Sequence, residues 1–204
     1  MSLSDLLYKL PAILLAITVH EYAHGRAADS LGDPTARASG RLTLNPLSHL
    51  DPMGFICLFL AGFGWAKPVP VNPGYFANPM RGMMMASAAG PLANLVTALA
   101  CGALFRMLAP AWGGLISQLL AMAIFYNVAL ALFNLLPVHP LDGSHVLKGL
   151  LPPRMALELA RYDRVMMYLL FAVISVDAIF RTRIIGQVLM TPIRKLSVII
   201  IGCE

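Results

Sequence analysis

The chain has 204 residues, 58% of them apolar and only 12% charged, with a mean hydropathy of +0.73. Soluble domains run at about 45–50% apolar and about 25% charged, so an ordinary soluble domain is excluded; disorder, which needs a polar, charge-rich chain, is excluded too. The net charge of +5 is spread between apolar runs rather than gathered in a basic, aromatic-laced cluster. That pattern points to membrane topology and lipid head groups, and away from nucleic acid.

Membrane spans take about 20 residues each, so the length fits one compact helical membrane domain with no large soluble one. The first apolar stretch covers residues 6–31 and carries polar chemistry in its second half. No cleavable signal peptide is expected there. Gly32, Asp33 and Pro34 end it, because proline cannot continue a helix and glycine favours a stop. Residues 35–53 are polar, with Asn45-Pro46 and Asp51-Pro52 as turn signals, and residues 38–44 alternate enough to suggest a short strand. The second apolar run, residues 53–66, is short for a span and suits a re-entrant or broken helix. Residues 67–73 (KPVPVNP) read as extended chain, since three prolines fix an open backbone.

The third run covers residues 80–108, with small residues at 86–90 that let helices approach closely and Pro91 as an expected kink. The fourth, residues 115–136, stops at Pro137 and is followed by a polar turn. Residues 146–164 are amphipathic and suit the interface or a cap on the bundle. The fifth run covers residues 165–180. The stretch 184–201 is apolar but broken by Pro192, Arg194 and Lys195, so spanning and lying flat both stay open. Cys57, Cys101 and Cys203 form no close pair and read as small buried hydrophobes.

Arg26, Arg37, Arg41, Lys67 and Arg81 lie between the first and third runs, and Lys148, Arg154, Arg161 and Arg164 between the fourth and fifth. Only Lys9 and Arg106 mark the opposite side. The positive-inside rule therefore puts the C-terminal end of the first helix toward the cytoplasm, although Arg181 and Arg183 fit less well.

Residues 20–24 read His-Glu-Tyr-Ala-His, an HExxH pattern. Side chains four apart share a helix face, so His20 and His24 can reach one zinc ion, and Glu21 can take a proton from a water held there. Leaving these groups bare at the end of an apolar span costs several kcal/mol. The bland reading is a set of polar anchors at the interface. Catalytic zinc usually has three protein ligands, and Asp29, Asp33, Asp51, Asp142, His49, His139 and His145 are candidates for the third. Asp29 and Asp33 suit a helix end and Asp51 a cap. Asp142 precedes Gly143, which permits a tight turn that aims the carboxylate into the bundle, but it also suits the N-cap of the next helix.

Several motifs then occur in a fixed order: HEYAHG at 20–25, GRLTLNP at 40–46, HLDPMG at 49–54, GWAKPVPVNP at 64–73, AGPLAN at 89–94, FNLLP at 133–137 and PLDG at 140–143. In these the chain resembles the site-2 protease family of intramembrane zinc metalloproteases, in its short prokaryotic form. The resemblance implies one zinc per chain, bound by His20, His24 and Asp142, with Glu21 as catalytic base. It implies that Asn134 holds or polarises the scissile carbonyl, a task that suits an amide donor in a water-poor site. The structural alternative for Asn134 is an interhelical hydrogen bond, and for Asn94 that reading is preferred.

The family's usual turn, Pro-Pro-Leu-Asp-Gly-Gly, is here His139-Pro140-Leu141-Asp142-Gly143-Ser144. His139 is read as supporting the ligands or touching substrate, and His49 as a residue near the active site.

The expected molecule is an all-α, polytopic bundle of about five to six transmembrane or re-entrant segments, with a small extended or β element near the site. Residues 1–204 form one integral-membrane domain, multi-pass in the cell membrane, with its active site toward the cytoplasm. Its expected function is that of a zinc endopeptidase using a zinc-activated water on membrane-spanning protein substrates. The partners are those substrates and the lipid bilayer. The alternative is a zinc-binding membrane protein that transports metal or binds partners without cleaving them. An open edge at residues 67–73 would let an unwound substrate pair by strand addition.

Overall fold

The computed structural model describes residues 3–61, 64–112, 114–180 and 184–202, and among these the regular structure is helical. Arg181, Arg183 and Cys203 lie outside the described residues. Helix α1 (Leu3–Ser30) runs through Pro11, and α2 (Thr35–Ala38) is a single turn. The short helix α3 (Pro52–Ala61) starts where the Asp51 carboxylate accepts the Gly54 N–H at 2.8 Å, an N-cap as the sequence suggested. Helix α4 (Pro79–Trp112) has proline at its first position, and the Asn78 side chain accepts the Arg81 N–H at 3.1 Å. Helix α5 (Gly114–Asn134) follows. The amphipathic stretch forms two helices, α6 (Asp142–Leu150) and α7 (Pro153–Arg161), because Pro152 and Pro153 interrupt it. Helices α8 (Asp163–Phe180) and α9 (Ile184–Ile201) complete the chain.

Helices α1, α4 and α5 pack on one another, with α9 against α5 and α4, and α6 against α4. Their shared core holds Ala12, Ala98, Cys101, Ile124, Val128 and Ile193. Arg106 on α4 donates to the carbonyls of Ile199, Ile200 and Ile201 at 3.1, 2.8 and 3.2 Å, satisfying acceptors that the end of α9 leaves open. Helices α4 and α5 are long and apolar enough to cross a membrane.

The strand anticipated at residues 38–44 does not form. Gly40 adopts a positive φ of 67° and Arg41 N–H returns to the Ala36 carbonyl, so the chain turns where a strand would run on. Among the described residues the β structure is one antiparallel bridge, Leu50 with Ala66. Residues 67–72 carry no regular structure, as the prolines require.

Candidate metal centre

The i, i+4 spacing on α1 sets the His20 and His24 rings side by side, their Nε2 atoms 2.9 Å apart. Asp142, the first residue of α6, brings Oδ2 to 3.1 Å from His20 Nε2 and 3.2 Å from His24 Nε2. Among the described residues, these three form the group of potential metal ligands. His49, His139, Asp29, Asp33 and Asp51 stand elsewhere, and His145 lines the same cavity as the three without joining the group.

The donor set fits zinc. His20 Nδ1 faces Asn94 Oδ1 at 2.7 Å and His24 Nδ1 faces the Ala86 carbonyl at 2.8 Å. Each Nδ1 therefore carries the proton in the neutral imidazole, and each Nε2 presents a lone pair. Asp142 Oδ2 is buried with no hydrogen-bond donor. Three lone-pair donors converging without a proton between them repel unless a cation sits among them. Tetrahedral zinc with bonds of about 2.0–2.1 Å sets its ligand atoms about 3.3 Å apart, close to the triangle observed.

The chain is shaped to let these groups meet. A Cβ on Gly90 of α4 would lie 2.4 Å from His24 Nε2 and 2.8 Å from His20 Cε1, so only glycine fits beneath the rings. Gly143 serves the same purpose and not the one anticipated: its φ is ordinary, and a Cβ there would strike the Leu135 and Leu136 carbonyls at 2.3 and 2.4 Å. Glycine is needed for close approach of α6 to the end of α5, not for a strained turn.

Glu21 is buried, and its Oε2 accepts the Val69 N–H at 2.8 Å. The segment carrying Val69 is held from three sides. Arg41 donates to the Lys67 carbonyl at 2.7 Å, Lys67 N–H reaches the His49 carbonyl at 2.9 Å, and Asn72 N–H reaches Asp33 Oδ2 at 2.7 Å. Asp33 is fully buried. Burial opposes its ionisation, but hydrogen bonds from the Thr35 hydroxyl, the Asn72 N–H and the Thr35 N–H outweigh burial and hold the carboxyl below its usual range. With prolines at 68, 70 and 73 and the other amides engaged, Val71 N–H is the donor left for an added strand among the described residues.

A cavity of about 320 Å³ joins His20, Glu21, His24 and Asp142 to Val69, Val71, Ser87, Asn134, Pro140 and His145. Asn134, at the end of α5, donates one amide proton to the Leu130 carbonyl at 3.0 Å, which leaves its second for the cavity. Burial first, then Lys148 and His139, lower the His145 pKa, so its ring stays neutral. His139 lies outside the cavity lining. Its Nδ1 is buried without a hydrogen-bond partner, 4.0 Å from Asp163, whose carboxylate binds Lys148 at 2.5 and 2.6 Å. His49 is fully buried beneath its own loop, Nε2 facing the Thr43 carbonyl at 2.8 Å, and is likewise outside the cavity.

Asn94 lies between α1 and α5, fully buried, with its Oδ1 on His20. Its Nδ2 donates to the Ala16 carbonyl at 2.9 Å and to Asn127 Oδ1 at 2.8 Å. Asn127 was not among the residues anticipated. Its signal was present as an amide in the middle of the apolar run of α5, where an unpaired polar group is expensive.

A His-His-Asp donor set with an adjacent buried glutamate, on a helical scaffold, matches the chemistry that a zinc metalloprotease needs. Comparison with known proteins agrees. Residues 108–176 match the model of peptidase family M50. The chain is 42% identical over 160 residues to a Bacillus subtilis (strain 168) protein named "Putative zinc metalloprotease YwhC", covering 74% of this chain and 72% of that one. It is 31% identical to the Mycolicibacterium smegmatis protein named "Putative zinc metalloprotease Rip2" and 32% identical to its Mycobacterium tuberculosis (strain H37Rv) counterpart. Each of these alignments covers 72% of this chain and 58% of the mycobacterial protein. No solved structure matches the chain. The chain belongs to peptidase family M50, the site-2 protease family.

Proposed function

We propose that residues 1–204 form one integral-membrane domain that hydrolyses peptide bonds of membrane-spanning protein substrates. The observation that carries this reading is the convergence of His20, His24 and Asp142 beside Glu21 in one cavity, on a bundle whose outer face is apolar. Leu92, Val96, Leu99 and Met107 on α4 and Tyr168, Leu169 and Phe171 on α8 are exposed, which water would penalise and lipid would not. In this reading α1, α4, α5 and α8 span the membrane and α3 is re-entrant; α9, spanning or lying flat, sets the count at six or five. The basic residues Arg37, Arg41, Lys67 and Lys148 gather at the end that carries the site, which supports a cytoplasmic site in a multi-pass cell-membrane protein.

His20, His24 and Asp142 would hold one zinc ion, which supplies a Lewis acid to polarise a carbonyl and acidify water. Glu21 takes the proton of the attacking water and returns it to the departing amine nitrogen. Val69 N–H aims the Glu21 carboxylate by binding one oxygen, which leaves the other for water. The free amide proton of Asn134 steadies the scissile carbonyl as negative charge develops on its oxygen. Val71 N–H offers an unwound substrate one backbone hydrogen bond beside the cavity.

The test is Glu21→Gln in proteoliposomes holding a labelled single-span peptide. The variant keeps zinc and loses cleavage. Cleavage at the wild-type rate by Glu21→Gln contradicts the mechanism. A zinc-loaded wild type that cuts no single-span peptide favours the non-proteolytic alternative.

A further inference from the structure

Asn127 sits on α5 among Ala123, Ile124 and Val128 and is fully buried. An amide in such a place is costly unless both ends are satisfied. Here they are, and in one order only. The Ala123 carbonyl can only accept, so Asn127 Nδ2 must face it, at 2.8 Å. Asn127 Oδ1 is thereby turned toward Asn94, whose Nδ2 donates to it at 2.8 Å and to the Ala16 carbonyl at 2.9 Å. Both partners of Asn94 Nδ2 are acceptors, so Asn94 Oδ1 must face His20, and His20 Nδ1 must be the protonated nitrogen, at 2.7 Å. His20 Nε2 is then left with its lone pair toward His24 and Asp142. The relay crosses three helices.

We infer that Asn127 is a positioning residue: acting through Asn94, it selects the tautomer of His20 that binds metal. This rests on the zinc reading of the site. Without Asn127, the Asn94 amide loses one of the two acceptors that fix its direction. Rotated by half a turn, it would offer N–H to His20 Nδ1 and drive the proton to Nε2, where it blocks the metal.

The experiment measures zinc dissociation constants by chelator competition for wild type, Asn127→Leu, Asn94→Leu and the double variant, in detergent. Alongside, the ring nitrogens of His20 are read by ¹⁵N NMR in the zinc-free proteins. Asn127→Leu weakens zinc about tenfold and Asn94→Leu about tenfold to a hundredfold, the usual range for partners of a ligating histidine. The double variant is no weaker than Asn94→Leu alone, because the two act in series. Zinc-free wild type shows Nδ1–H on His20, and Asn127→Leu shows a mixture. Asn127→Asp restores wild-type affinity, since a protonated carboxyl reproduces both hydrogen bonds; it also serves if the leucine variant does not fold. Independent, multiplying losses in the double variant overturn the proposal, as does an unchanged His20 tautomer in Asn127→Leu. A wild type that binds no zinc removes the zinc reading, while the NMR comparison still decides the tautomer relay.

Discussion

Gly90→Ala separates packing from chemistry at this site. The added Cβ lies 2.4 Å from His24 Nε2, 2.5 Å from His24 Cε1 and 2.8 Å from His20 Cε1, against an ordinary contact of at least 3.4 Å. The His24 ring must move by about 1 Å, whereas metal–ligand distances tolerate only about 0.2 Å. Losing that ligand position costs at least about 2.7 kcal/mol, a hundredfold in zinc affinity. Fold stability moves much less. Alanine in a helix gains about 0.5–1 kcal/mol over glycine, and overpacking costs about 1–3 kcal/mol. Without metal the ring can also swing aside. Chelator competition on Gly90→Ala, with thermal unfolding of the zinc-free protein as control, gives weak zinc binding on a folded chain. Zinc affinity within threefold of wild type refutes the packing argument, and with it the site geometry.

Three further predictions follow the same geometry. Val69→Pro removes the N–H that holds Glu21 and lowers kcat about tenfold, the equivalent of about 1.4 kcal/mol, with zinc content unchanged; Val69→Ala keeps the N–H and the rate. Gly143→Ala sets a Cβ against two backbone carbonyls that cannot yield, so α6 shifts and zinc affinity and thermal stability fall together. Asp33 has a folded pKa below its unfolded value, so its contribution to stability is full above the usual carboxylate range and is lost as pH falls through the folded pKa. Thermal unfolding between pH 6 and pH 3 therefore drops more steeply in wild type than in Asp33→Asn, and parallel curves refute this.

Hydropathy alone located the long helices, because an apolar run needs no partner to be read. The Asp51 cap was legible for the same reason: its cue is local. What escaped depended on contacts between distant elements. Spacing could not choose Asp142 over six other candidates, since the approach of α6 to α1 spans more than a hundred residues of chain; a family resemblance did what spacing could not. Gly90 and Gly143 read as helix-packing and turn residues, yet Gly90 makes room for the His20 and His24 rings far along the sequence, and Gly143 for the backbone carbonyls at the end of α5. The alternation at residues 38–44 promised a strand, and a strand needs a partner that the fold does not bring there. Asn127 carried a local signal, an amide in an apolar run, but its purpose is visible only once Asn94 and His20 stand next to it.

The central claim is a zinc site completed by Asp142, and zinc per chain in detergent-purified wild type beside Asp142→Ala tests it most directly. The account predicts one zinc in the wild type and loss of tight binding in the variant. Equal zinc in both, or none in a folded wild type supplied with the metal, contradicts it.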